Sequence, residues 1–161
     1  MSASIDPGSA SFLVGDLARL MRLEFERRIA EEPVAVTPAE ARVLAHVARG
    51  GQTRQHVLAE RLGIGPMSLT GFLDRLEAQG LIARIADPRD GRAKLVALTE
   101  AAGPVLATIA RAGVAARATA RSGISEADWL RFQDVTRRAI ENLRRARGGV
   151  GEDAGPEERR S

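Results

Sequence analysis

Cysteine is absent from the chain, which excludes disulfides, thiolate zinc sites and control by thiol oxidation. Tyrosine is absent too, and aromatic residues make up only 3%. A core must therefore be built from Leu, Val, Ile and Ala. With 161 residues, 44% of them hydrophobic, one domain or one domain with an extra helical layer can be filled. No run of about 18 apolar residues occurs, so no membrane-spanning helix is expected. The opening MSASIDPGSA lacks the basic stretch and apolar run of a secretory signal, and a cytoplasmic protein is expected. Lysine is nearly missing: the 24 basic residues are 23 Arg and one Lys. Almost nothing titrates between neutrality and the arginine range, so a net charge of only +3 produces a sequence pI of about 10.7. The pI is thus poor support for nucleic-acid binding, and the positive charge is spread out along the chain.

What is present is helical periodicity broken by glycine and proline. Residues 1–9 are rich in Ser, Gly and Pro and are expected to be loose. Leu13, Leu17, Leu20 and Met21 recur at three and four within a helix expected over residues 10–31. Phe12, Leu23, Phe25 and Ile29 fall on other sides of it, so this helix needs more than one partner. "TPAE" at 37–40 reads as a capping box with Pro in the first turn, opening a helix to about Arg49. A short helix follows over 55–62, a "GIG" break, and then a helix from Pro66. In that helix Leu69, Phe72, Leu73 and Leu76 form one apolar stripe. Two short apolar runs, LIARIA and AKLVAL, flank "DPRDGR" and predict a hairpin over 81–98, with Gly91 supplying positive φ at its tip. Thr99 is expected to cap a long alanine-rich helix to about Arg121. Ser125 and Asp128 cap a last one, in which Trp129, Phe132, Thr136, Ala139 and Leu143 form a packing seam. From Gly148 the chain is Gly and charge, and disorder is expected over 148–161.

Two short helices joined by a tight glycine turn describe a helix-turn-helix. Its second helix presents small polar residues, as a helix that enters the major groove must. The Ser68 and Thr70 hydroxyls can bond bases or phosphates, and Gly71 lets the backbone approach closely. Arg75 reaches a phosphate or a guanine. A hairpin directly after the second helix completes the order of a winged helix. A wing lies over the neighbouring minor groove, whose negative potential at A·T tracts attracts arginine. That gives Arg89 and Arg92 a target, with Asp90 pairing with Arg92 to fix its guanidinium, and Asp87 pairing with Arg89 or shaping the turn.

"LAERLGI", "LTGFLDRLEAQGLIAR" and above all "DPRDGRAKLVALTEAA" resemble the MarR family of bacterial transcription regulators over residues 10–146. The resemblance implies a mainly α fold with a small β-hairpin wing: a winged helix-turn-helix plus long N- and C-terminal dimerisation helices. The division expected is 10–36 for the N-terminal dimerisation helix, 37–98 for the DNA-binding region and 99–147 for the C-terminal dimerisation helices. It implies a homodimer on a pseudo-palindromic operator, acting as a repressor relieved by a small lipophilic or aromatic effector. By the same resemblance Arg92 is the minor-groove arginine and Asp90 its acidic partner, and Ser68, Thr70 and Arg75 match recognition-helix contacts. Arg54 stands where the family often has a capping Thr or Ser; either the cap has moved to Thr53, or Arg54 touches phosphate.

An effector pocket is expected from Phe12, Leu17, Met21, Leu44, His46, Val47, Leu106 and Ile109, all of which also suit an ordinary core. His46 and His56 are the only histidines, and without cysteines or tight ligand spacing they suggest no metal site. His46 is packed or pocket-lining and His56 exposed. No activated nucleophile, carboxylate pair or phosphate loop points to an enzyme, and no cofactor is expected. The competing reading is a winged-helix module that docks protein instead of DNA; salt-dependent duplex binding separates the two.

Overall fold

A computed structural model describes residues 8–147. Of the loose N-terminus expected over 1–9, all but Gly8 and Ser9 lies outside the described residues, and so does the tail expected over 148–161. The chain forms two compact units, one ending at Ala120 and the other beginning at Arg121.

The first unit is mainly helical: α1 (Ala10–Ala30), α2 (Pro38–Gly50), α3 (Gln55–Leu62), α4 (Pro66–Ala78) and nearly all of α5 (Gly103–Arg121). A three-stranded antiparallel sheet of order β1-β3-β2 joins them, with β1 at Thr53–Arg54, β2 at Ile82–Asp87 and β3 at Asp90–Leu98. The expected capping box opens α2: the Thr37 hydroxyl accepts from the Glu40 N–H, and the Glu40 carboxylate accepts from the Thr37 N–H at 2.8 Å. Gly63 ends α3 at φ 64°, a left-handed position that glycine takes without strain, and so sets the tight turn into α4. Leu69, Leu73 and Leu76 of α4 are fully buried against Val43, Leu44 and Val47 of α2, Leu58 of α3 and Val96 of β3. Each buried leucine contributes about 1.5–3 kcal/mol relative to exposure, which fixes the outward face of α4 by fixing its inward one. Phe72 is only partly buried at the edge of that stripe.

Several local expectations are corrected. The two-residue strand β1 was not anticipated; it pairs Thr53 with Val96 and Arg54 with Leu95. Two residues are too few for an alternating pattern to register. The hairpin turns at Pro88–Arg89, not at Asp90–Gly91, and Gly91 does not have positive φ. Proline presets the turn φ, and no left-handed residue is needed. Thr99 makes no helix cap; its hydroxyl donates to the Gly80 carbonyl at 2.6 Å, and a 3-10 turn at Glu100–Ala102 precedes α5. Along α1 only Ile29 is buried, while Phe12, Leu13, Val14, Leu20 and Leu23 are exposed.

The second unit is dominated by α6 (Glu126–Ala146). The expected cap is present, with the Asp128 N–H donating to the Ser125 hydroxyl at 3.1 Å, and Arg121 pairs with Glu126. Trp129 and Phe132 place their rings 5.5 Å apart. No residue of α6 is buried, and Leu130, Phe132, Val135, Ile140 and Leu143 are exposed. Among the described residues no helix is long and apolar enough to cross a membrane.

Candidate nucleic-acid interface

The core stripe of α4 turns Met67, Ser68, Thr70 and Asp74 outward. Ser68 is exposed and its hydroxyl has no partner among the described residues. Thr70 is differently placed from what its type suggests. Its hydroxyl donates to the Pro66 carbonyl at 3.0 Å and accepts from the Gln55 side chain at 2.8 Å, so its proton is spent inside the protein. The Gln55–Thr70 bond instead ties α3 to α4 across the turn. A Cβ at Gly71 would meet only the Arg75 guanidinium, at an ordinary 3.7 Å. Packing within the chain therefore does not demand glycine there, although glycine in a helix costs about 1 kcal/mol relative to alanine.

Arg75 is not simply free for a phosphate or a guanine. Its Nε donates to Glu40 at 2.5 Å, and its guanidinium lies 5.2 Å from the centre of the Phe72 ring. Glu40 is 2% exposed. Burial pushes its pKa up, but the Thr37 N–H, the Arg75 guanidinium and the Thr37 hydroxyl outweigh this and hold it below the ordinary range. The carboxylate that caps α2 thus also orients Arg75 on α4.

The wing is anchored twice. Arg84 of β2 donates to Glu77 at 3.1 Å and to Asp74 at 2.6 Å, joining the sheet to α4. At the hairpin's far end the Asp87 carboxylate accepts from the Arg89 N–H at 2.9 Å and from Arg54 at 2.6 Å. Those two donors, the Arg89 N–H first, hold Asp87 below the usual aspartate range against its burial. Asp87 therefore shapes the turn through the Arg89 N–H and also pairs with Arg54. Arg54 occupies the N-cap position of α3 without a side-chain cap bond, and Thr53 does not take over that cap: its hydroxyl donates to the Gly51 carbonyl. The Arg54 guanidinium is engaged in this internal pair. The +1 charge at residue 54 and the −1 at residue 87 were visible in the sequence; their adjacency was not, because it depends on β1 pairing with β3.

Asp90 does not pair with the Arg92 guanidinium. It accepts the Arg92 backbone N–H at 3.2 Å, and the Arg92 guanidinium has no partner among the described residues. The strand register passes from Ala86–Lys94 to Asp87–Asp90, which leaves Gly91, Arg92 and Ala93 outside one-to-one pairing. Arg89 and Arg92 are both exposed.

A cavity of about 620 Å³ lies between α1, α2 and α5. Of the expected pocket residues Met21, His46, Leu106 and Ile109 line it. Leu44 and Val47 do not; they are core side chains 0% and 1% exposed. Phe12 and Leu17 do not line it either, being nearer the start of α1. Residues not anticipated are Phe25 and Val114 on the apolar side and Arg22, Arg42 and Arg117 on the polar one. An adjoining cavity of about 490 Å³ shares Arg22, Arg42 and His46. Burial, then the charges of Arg42, Arg49 and Arg61, lower the His46 pKa and favour neutral imidazole. His56 is exposed on α3.

Comparison with known proteins places this geometry among relatives. A model described as the MarR family matches residues 36–93. The HTH-type transcriptional repressor MdtR of Bacillus subtilis (strain 168) is 33% identical over 97 residues, which cover 57% of this chain and 63% of MdtR. The match thus spans less than two thirds of that curated relative. The crystal structure of transcriptional regulator PA3341 is 32% identical and superposes with a TM-score of 0.72, over 85% of this chain and 99% of that one. The PcaV transcriptional regulator of Streptomyces coelicolor, solved with its natural ligand, is 23% identical with a TM-score of 0.61, over 86% and 97%. That last likeness is one of fold.

Proposed function

The chain belongs to the MarR family of transcriptional regulators, and from that premise we propose that it is a sequence-specific, double-stranded-DNA-binding repressor. In this reading residues 37–98 bind DNA, with α4 in the major groove and the wing over the adjacent minor groove. The observation that carries it is the Arg92 guanidinium, exposed on an irregular stretch of β3 and without a protein partner among the described residues. An arginine held at its backbone and unpaired at its head suits a narrow, electronegative groove. Ser68 makes a direct base contact, while Arg89 reaches backbone phosphate and Arg75, oriented by Glu40, supports the recognition helix.

The protein acts in the cytoplasm as a homodimer through residues 10–36 and 99–147. The apolar side chains left exposed along α1 and α6 support this, because several on one helix make a surface that a second copy can cover. Two-fold protein symmetry then requires an operator with two half-sites centred about one helical turn, roughly 10 base pairs, apart. Repression is relieved by a small lipophilic or aromatic effector in the α1–α2–α5 cavity, where Arg22, Arg42 and Arg117 favour negative charge. PcaV, solved with its natural ligand, is a precedent for a bound ligand in such a fold.

Selection of duplexes from a random pool, followed by footprinting, tests the reading. Enrichment of a pseudo-palindrome with both half-sites protected is the expected outcome. Failure to enrich any sequence, or protection of one asymmetric half-site, contradicts it.

A further inference from the structure

We propose that Met67 reads a thymine 5-methyl group in the major groove, an assignment that rests on the DNA-binding reading above. A lone exposed apolar side chain is ordinary on a protein surface. Met67 is set apart by three features of its surroundings. It is 89% exposed, the highest value among the exposed large hydrophobics, although Leu69 and Leu73 of the same helix are fully buried. It is the second residue of α4, in the turn that a recognition helix presents to base edges. And the Thr70 proton and the Arg75 Nε near it are engaged within the protein.

That third feature decides what Met67 can recognise. The Thr70 proton is on the Pro66 carbonyl, with Gln55 on the same oxygen. The Arg75 Nε is on Glu40. Gly71 brings no side chain, and it stands four residues from Met67, on the same helical face. Met67 itself therefore meets a base edge with apolar surface only, beside a Thr70 proton already engaged and an Arg75 guanidinium that lies over Gly71. Among base-edge features of the major groove only the thymine C5-methyl is matched by such a surface. Any donor or acceptor desolvated against it would be left unpaired, at a cost to binding. The unbranched methionine side chain can settle onto a methyl group without a fixed angle of approach. Ser68, next along the helix with an unpartnered hydroxyl, supplies the polar contact beside it.

The test uses the full chain and the duplex it selects from a random pool, with each dT replaced in turn by dU, which removes only the methyl group. Binding of the parent, Met67→Ala and Met67→Leu is followed by fluorescence anisotropy. The parent is expected to lose about fourfold at one dT of each half-site, the worth of one buried methyl group. Met67→Ala should bind the unmodified duplex more weakly and be indifferent to that replacement; Met67→Leu should keep the sensitivity. Because Met67 is outside the core, equal urea midpoints are expected for all three proteins. A parent indifferent to every dU, or a Met67→Ala variant as sensitive as the parent, overturns the assignment while leaving DNA binding standing. A parent that selects no duplex overturns both.

Discussion

Arg54 grips the Asp87 carboxylate through both Nε and Nη2 at 2.6 Å, fastening the residue that opens α3 to the base of the wing turn. Two segments 33 residues apart are thereby held together at the rim of the proposed interface. Arg54→Ala should lower the urea midpoint and weaken operator binding together, because a 5%-exposed carboxylate loses a partner and the wing loses a tether. Arg54→Lys should recover part of both, since an ammonium gives one contact where the guanidinium fork gives two. Weaker binding with an unchanged midpoint would mean that Arg54 contacts DNA directly.

The same carboxylate makes stability depend on acid. Its pKa is lower in the folded chain than unfolded, through the Arg89 N–H and the Arg54 guanidinium. Its contribution is therefore complete above the ordinary aspartate range, about pH 4, and is lost as the pH falls through the lowered folded value. Asp87→Asn should start less stable at pH 7 and lose less on going to about pH 3. Urea midpoints at the two pH values measure this; parallel losses in both proteins would contradict it.

Glu40 serves two neighbours, the Thr37 N–H and the Arg75 Nε. Arg75→Ala leaves this buried carboxylate with the α2 cap but without its cation. A stability loss of about 1–3 kcal/mol is expected, the cost of an incompletely paired buried group. Chemical denaturation reads it, and a loss within about 0.5 kcal/mol, the range of an ordinary surface substitution, would show the pair to be inconsequential.

The dimer is checked by light scattering at low micromolar concentration. The expected mass is twice 17.2 kDa. Replacing Phe132 and Val135, both exposed on α6, by Glu should return it toward a monomer. A parent already monomeric would remove the dimer from the account.

How much of this was legible in the sequence follows from what each signal depends on. The helices were, because the stripe of Leu69, Leu73 and Leu76, the Thr37–Glu40 box and the Gly63 stop are local features that burial and capping then enforce. The strand at Thr53–Arg54 was not, being two residues defined only by its partner β3. The polar and charged side chains were the hardest. Thr70, Arg75 and Arg54 have the types expected of a DNA-facing set, yet each is engaged by a residue distant in sequence: Gln55, Glu40 and Asp87. The cavity divided along similar lines. Apolar type alone could not separate Leu44 and Val47 in the core from Met21 and Ile109 at the cavity wall.

Arg92→Ala tests the central claim most directly, by duplex binding at several salt concentrations alongside size exclusion. Arg92 is exposed and unpaired at its head, so its truncation leaves no cavity, and the fold and assembly of the variant should match the parent. The account predicts that log K for the parent falls linearly with log salt, and that the variant binds its selected operator about 1–3 kcal/mol per site more weakly. Equal operator binding by variant and parent, or parent binding indifferent to salt, would contradict it.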